Sequence, residues 1–483
     1  MELRTKCMEV LSEPELKQIW EAALRIWPKL PLRVTGTEEF NQALLDFGCT
    51  VDNGLVWFPD SVRDQVLSRI DERRLQNGPW TAAEICGEPV SRVTNGQAFF
   101  CCDLESDQVR PASTQDLVDW SWVCDCYPDM IRAHPTFIPQ DVPVGVVDIH
   151  TFATIILNAS RPCRVSVFDV DMFPYFVRLQ AICDGSEDEV RENPIFNTTC
   201  YANSPCTISH EAIEIGMRAR AELRKPLVIS SMPVVGSATP VTLAGSLAQS
   251  TAECLTMNAV TLALDNRLNG WMETATLTDM KTGMAMVSGP DLLLARLAYA
   301  QMSAYVFGGT YRGSGSLNTT AKTPGAQAAI EKSLDAMWGL CAGIRSFSSL
   351  GILATSDVAS LTQFTIDLEI VDYLRRLAEG VTVDNDRIAE DLITEVAPRG
   401  AHYLSEMHTA EHFRSELWTP ELIDRQSAMS WIHKPVDMLD NARNKARQVL
   451  QQAENQCPLY DDQKREVHDI VTEATARAAE KAA

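Results

Sequence analysis

Short apolar runs of strand length alternate with longer helical stretches through the middle of the chain. The runs are RVSVFDV (164–170), NPIFNTTCY (193–201), KPLVISSM (225–232), NGWMETAT (269–276), GTYRGSG (309–315) and GIRSFSSL (343–350). Their starts are spaced about 29 to 44 residues apart, and each interval holds a helical segment. After 225–232 comes TPVTLAGSLAQSTAECLTMNAVTLAL, a helix with Thr239 as its expected N-cap and Pro240 in its first turn. Residues 290–307 predict another helix, closed by Gly308 just past its end. Strand then helix, repeated at this interval, predicts parallel βα units.

Six units are visible, and two further strands are expected near 96–101 or 144–147 and near 401–404. Eight units close a barrel. An open doubly wound sheet would carry a glycine fingerprint at its first βα turn, and none is present. The fold class expected is therefore α/β, a (β/α)8 TIM-type barrel over 91–380. A mostly helical N-terminal region occupies 1–90. There 12–27, 37–47 and 60–75 read as helices, Ser12 and Glu15 make a capping box, and VDNGLVWFP (51–59) reads as a hairpin or short strand. A C-terminal helical extension, 381–483, packs on the barrel or on a partner. Its best helix formers lie on either side of Cys457–Pro458.

Composition changes this picture little. The hydrophobic share is 45% and the charged share 22%, ordinary for a globular protein. A formal net charge of −23 argues against unaided binding to nucleic acid or to an anionic membrane. No apolar run reaches bilayer-spanning length, and MELRTKCMEVLSEPELKQIW does not read as a signal peptide, so a cytoplasmic protein is expected. The fourteen cysteines are then expected as thiols. Cys124, Cys126 and His134 suggest half a zinc site, but no second half follows, and no bound metal is expected.

GGTYRGSGSLNTTAKTPGAQA (308–328) invites comparison with a phosphate cradle. Lys322 follows Ala321 rather than a glycine, so the Walker spacing fails. Gly313 and Gly315 match the start of a dinucleotide loop, but Asn318 stands where the third glycine belongs. In a barrel, 316–322 instead becomes a βα loop at the C-terminal mouth, where active sites on that fold are built.

Several stretches in one order carry a resemblance to a known family. They are LLDFGCTVDNGLVWFP, STQDLVDW, NSP at 203–205, SATPVTLAGSLAQSTAE (237–253), TDMKTG (278–283), NTTAKTPGAQA (318–328), RIAEDLITEV (387–396) and HYLSEMHTAEHFRSELWTPELIDR (402–425). With them the chain resembles, over nearly its whole length, the trimethylamine:corrinoid methyltransferase superfamily in its branch without pyrrolysine, which includes members acting on glycine betaine. The resemblance implies a (β/α)8 barrel with a helical extension. It also implies transfer of an N-methyl group to the Co(I) of a corrinoid, carried by a separate small corrinoid protein, from a methylated amine. A homo-oligomer is expected as well.

A quaternary amine leaves as a neutral tertiary amine and needs no proton, so glycine betaine or a related betaine is the expected substrate. Such a cation is held by aromatic faces and sometimes a carboxylate. Candidates at the predicted strand ends are Tyr201, Trp271, Tyr311 and Phe347, with Glu273 on the face of Trp271. Arg312 or Lys322 would pair with a substrate carboxylate, and His402, like His408, lies in the motif-rich segment after the barrel. Thr320, Gly325, Phe347, Ser348, Ala354 and the WME at 271–273 depart from the pattern of related sequences and cluster at the predicted mouth. They leave open another N-methyl compound such as trimethylamine, a different acceptor, or a non-catalytic amine-binding relative.

Overall fold

A computed structural model describes residues 5–85, 88–271, 275–313 and 315–482. The protein is mixed α/β. The N-terminal region follows its pattern closely. Helices occupy Glu13–Ile26, Glu38–Phe47 and Asp60–Asn77, and a hairpin pairs Thr50–Asp52 with Leu55–Trp57. Ser12 closes the capping box with Glu15, whose carboxylate accepts from the Ser12 amide at 2.8 Å.

The central strands are short and mostly parallel. Ser91–Thr94 lies between Met130–Arg132 and Ser346–Phe347 and is parallel to both. Ser166 bridges Asn197, Cys200–Asn203 pairs with Ile229–Ser231, and Val234–Val235 pairs with Thr276–Thr278, all parallel. Ser316 bridges Ser348, again in parallel. The segments near 316, 347, 91 and 130 therefore lie side by side, as do those near 166, 200, 230 and 276. Counted in chain order, no ladder among the described residues joins the second, near 130, to the third, near 166, or the sixth, near 276, to the seventh, near 316.

The two strands absent from the six-unit rhythm are thus Ser91–Thr94 and Met130–Arg132. The alternatives 144–147 and 401–404 are corrected. Val144–Val146 is a 3-10 turn leading into the helix Val147–Asn158, and Tyr403–Ser405 is a surface turn. Apolar residues at 144–147 fit either a strand or a helix start, and Pro143 with the helical stretch behind it decides for the helix.

Helices cover the strands. Leu243–Asp265 begins later than expected, with Thr242 at its N-cap, because Thr239 instead bonds the Ser246 hydroxyl at 2.6 Å. Seventeen of its twenty-three residues are buried, so it has no polar stripe. Its outer face is covered by Glu13–Ile26 and Glu38–Phe47. The first ninety residues also share sheets with the centre: Leu32–Val34 pairs with Thr207–Ile208, and Thr81–Ala82 with Thr310–Tyr311. Pro290–Phe307 forms as expected, with Gly308 at its C-cap.

The C-terminal helices are Met438–Gln452 and Asp461–Ala482. The second buries Val467, Ile470 and Ala474 against Val147–Asn158 and Phe173–Asp184. No helix among the described residues is long and apolar enough to cross a membrane. The described cysteines are free thiols.

Candidate functional site

At the C-terminal ends of the parallel segments lies a cavity of about 580 Å³, within the usual range for small-ligand sites. Its wall draws on six of the eight segments: Asn95 and Gln97, His134, Ser166 and Phe168, Asn197, Thr199 and Tyr201, Asn318, and Ser349. Period-two alternation turns 166 and 168, and 197, 199 and 201, to one side. Glu211, in the first turn of the helix His210–Leu223, completes the rim.

Local bonds set these side chains. The Asn197 amide donates to the Tyr201 hydroxyl at 2.9 Å, while its carbonyl oxygen accepts from the Thr199 amide at 3.1 Å. Phe168 is placed by the buried Asp148, whose carboxylate accepts from the Phe168 amide at 3.0 Å and the Ile149 amide at 2.8 Å. Burial pushes the Asp148 carboxyl up to about 6. The loop before the next helix is tied by Glu331, which accepts from the Thr319 hydroxyl at 2.6 Å and the Thr320 amide at 2.7 Å. Ser349 and Ser356 line the cavity with φ of 67° and 89°, and Ala354 and Thr355 beside them are also left-handed. Such backbone costs about 1–2 kcal/mol per non-glycine residue and gathers at functional sites.

Two buried polar atoms of this lining have no partner among the described residues: Nδ1 of His134 and Oδ1 of Asn318. Burial, and secondarily the charge of Arg164, lowers the His134 pKa, so the ring is neutral near pH 7. Glu211 is held ionised by its own backbone amide and by Ser209. Among the described residues it is the one ionised group in the lining. The cavity therefore carries one negative charge, several hydrogen-bonding groups and two aromatic faces at its edge, Phe168 and Tyr201. It can take a cation that also offers polar atoms.

Of the sequence candidates, Tyr201 lines this cavity. Trp271, Tyr311 and Arg312 are gathered elsewhere, in a second cavity of about 390 Å³ at the N-terminal starts of the sixth and seventh segments. The Tyr311 hydroxyl donates to the Met8 carbonyl at 3.2 Å, and Arg312 forks onto Glu88 at 2.5 and 2.7 Å. Phe347 is 1% exposed and belongs to the core. Lys322 is exposed, its ammonium donating to the Thr320 carbonyl at 2.6 Å. His402 is exposed on the C-terminal extension, and Glu273 lies outside the described residues. No three metal-binding side chains converge among the described residues. His134, Asn197, Asn318 and Glu211 were not expected in the site. Asn318 opens the NTTAKTPGAQA stretch, and that was the one available signal for it.

Other recognised stretches are structural ties. In STQDLVDW, Ser113 and Asp116 form a capping box, and Arg110 grips Asp116 with two bonds of 2.7 and 2.8 Å. NSP meets SATPVTLAGSLAQSTAE through buried Glu253, which accepts from the Ser204 hydroxyl at 2.7 Å and from Gln249 at 2.7 Å.

The chain matches the family model described as "Trimethylamine methyltransferase (MTTB)" over residues 1–479. It is similar to the glycine betaine methyltransferase of Desulfitobacterium hafniense (strain Y51), at 26% identity over 91% of this chain and 92% of the relative. It is similar to the trimethylamine methyltransferase MttB of Desulfitobacterium hafniense (strain DSM 10664 / DCB-2), at 25% over 87% and 85%. The MttB of Methanosarcina thermophila is 25% identical over 88% and 89%. Among solved structures, the Methanosarcina barkeri monomethylamine methyltransferase (MtmB) aligns with a TM-score of 0.40 and 11% identity, over 93% of this chain and 95% of that one.

Proposed function

Since the chain belongs to the trimethylamine methyltransferase (MTTB) family, we propose that it moves a methyl group from the nitrogen of a quaternary amine to the Co(I) of a corrinoid carried by a separate small protein. Glycine betaine or a related betaine is the substrate. The observation carrying a cationic substrate is the charge of the C-terminal cavity, one carboxylate, Glu211, and no guanidinium or ammonium among its described lining residues; similarity to a glycine betaine methyltransferase is what supports the betaine class.

A permanently positive nitrogen is held there by the faces of Phe168 and Tyr201 and by attraction to Glu211. The unpartnered His134 Nδ1 and Asn318 Oδ1 turn lone pairs toward the positive nitrogen and its polarised methyl groups. These groups orient the amine so that one methyl faces outward, and closure by a docked partner excludes water. No proton moves, since the departing tertiary amine is neutral. The corrinoid, when docked, supplies the nucleophile. An acceptor presented from outside fits the rim, where Phe168 and Tyr201 are exposed aromatic side chains. In the same proposal the eight parallel segments close into a barrel over 91–380, flanked by 1–90 and by the extension 381–483.

The test is incubation with a panel of methylated amines and a Co(I) corrinoid, reading the demethylated amine by mass spectrometry and the corrinoid by its visible spectrum. A betaine losing one methyl, with a matching spectral change, supports the reading. Calorimetric binding of an amine without product would replace it with a non-catalytic amine-binding role.

A further inference from the structure

Among the described residues, the charged side chains lining the second cavity are opposite in sign to that of the first. It is lined by the helix Asp60–Asn77, the helix Pro290–Phe307, the strand Thr310–Tyr311, and Trp271 and Ala275. Tyr311 lines this cavity and Asn318 lines the first, so the two open at different points along the seventh segment. Three guanidiniums, of Arg73, Arg296 and Arg312, line it, and no carboxylate does among the described residues. In a chain of net charge −23 this is a local reversal of sign.

Arg312 is committed to Glu88. The other two make no ion pair among the described residues. Arg73 stacks on the Phe307 ring at 5.6 Å. Arg296 has a buried Nη1 with no hydrogen-bond partner, and the buried indole N–H of Trp271, in the same wall, has none either. Asp335, which attracts Arg296 electrostatically, makes no ion pair with it and keeps its own Oδ2 unpartnered. A buried, unpaired guanidinium N–H costs several kcal/mol until something accepts from it. Water would satisfy a donor but not the charge. A cation is repelled by the guanidiniums of Arg73 and Arg296.

We infer that this cavity is a binding site for a small organic anion, a carboxylate or a phosphate ester, whose oxygens accept from Arg296 and Trp271 while Arg73 adds charge. The aromatic walls of Trp271 and Tyr311 take the body of the ligand. The site is separate from the reaction proposed at the mouth.

The test is calorimetry and thermal shift on the full chain with two probes, inorganic phosphate and benzoate, against sodium chloride at matched ionic strength. At least one probe is expected to bind saturably, with a dissociation constant below about 1 mM. Preference for phosphate assigns a phosphate ester, and preference for benzoate assigns a carboxylate. Arg296→Met is expected to weaken binding about tenfold or more, a change of roughly 1.4 kcal/mol or above, and Arg296→Lys less. Should Arg296→Met fail to fold, Trp271→Phe and Arg73→Gln carry the same expectation from the cavity's other side. Absence of saturable binding beyond the chloride control overturns the inference. So does binding that Trp271→Phe and Arg73→Gln leave unchanged.

Discussion

Asp148 gives the clearest residue-level consequence. It is 3% exposed, receives two backbone N–H groups and has its carboxyl pushed up to about 6 by burial, with a smaller push from Asp169. Its folded pKa lies above its unfolded value, so the native state binds more protons between about pH 4 and 6. Stability drawn from this group is present below that window and is lost as pH rises through it, by up to about 2–3 kcal/mol. Asp148→Asn removes the titration. The gap in unfolding free energy between parent and variant should therefore shift against the parent as pH rises from 4 to 7. A gap that stays flat in urea melts across that range would sink the assignment.

Lys332 and Asp367 are both fully buried and paired at 2.5 Å, and Asp367 also accepts from Gln363 and the Gly351 amide. Lys332→Met strands the carboxylate and should cost about 3–5 kcal/mol, whereas Lys332→Met with Asp367→Leu should recover most of that loss. Chemical denaturation of the three proteins measures it. Equal losses in single and double variants would show the pair to be no more than packing.

The site was only partly legible at this scale. Aromatic residues at strand ends are visible in a sequence, and Tyr201, which lines the cavity, was named on that ground. The direction and register of each strand are not visible. The sixth strand begins at Thr276 rather than 269, and Trp271 falls before it, at the opposite end from the mouth. Asn197, His134 and Asn318 are ordinary polar residues until tertiary pairing turns them into one cavity.

Helices were the legible elements, because their ends are marked by local chemistry. Pro290 at the start and Gly308 past the end fixed one helix without tertiary information. The two kinds of cap glycine can be separated experimentally. Gly185 has φ of 89° and open space where a side chain would go, so Gly185→Ala should cost only the left-handed penalty of about 1 kcal/mol. Gly308 sits at φ 74°, ψ 175°, and an added Cβ would lie 2.5 Å from the Gly78 carbonyl oxygen and 2.9 Å from that of Arg74. Both contacts are backbone and cannot swing away, so Gly308→Ala should cost at least about 2 kcal/mol more than Gly185→Ala. Matching thermal midpoints for the two variants would contradict this. Strands of two to four residues were less legible, since apolar runs that short fit a helix start equally well, as 144–147 demonstrates.

At the scale of the whole molecule, the rhythm disclosed six of the parallel segments, but the strands Ser91–Thr94 and Met130–Arg132 and the way the two terminal regions embrace the centre were not visible in it. The N-terminal region supplies strands to the central sheets, and the C-terminal helix Asp461–Ala482 lies on the chain's own Val147–Asn158 and Phe173–Asp184. An amphipathic terminal helix is compatible in sequence with any apolar groove, so only packing could decide between the chain itself and a partner. The burial is substantial: Val467 is 0% exposed, Ile470 1% and Ala474 0%. Transfer of these three side chains from water contributes on the order of 5 kcal/mol before ordering costs. Cys457 and Asn455 anchor the approach by donating to the Ile156 and Leu157 carbonyls at 3.1 and 2.9 Å. The helix is therefore part of the folded unit. Ile470→Ala should lower unfolding free energy by about 2–4 kcal/mol, and Ala474→Leu should cost a comparable amount by overpacking. Deletion of 459–483 should lower stability further and expose the apolar faces of Val147–Asn158 and Phe173–Asp184, giving dye binding and self-association. If the shortened chain remained monodisperse and unfolded at the parent's denaturant midpoint, the helix would contribute nothing to the fold. Its apolar face would then have to serve another molecule.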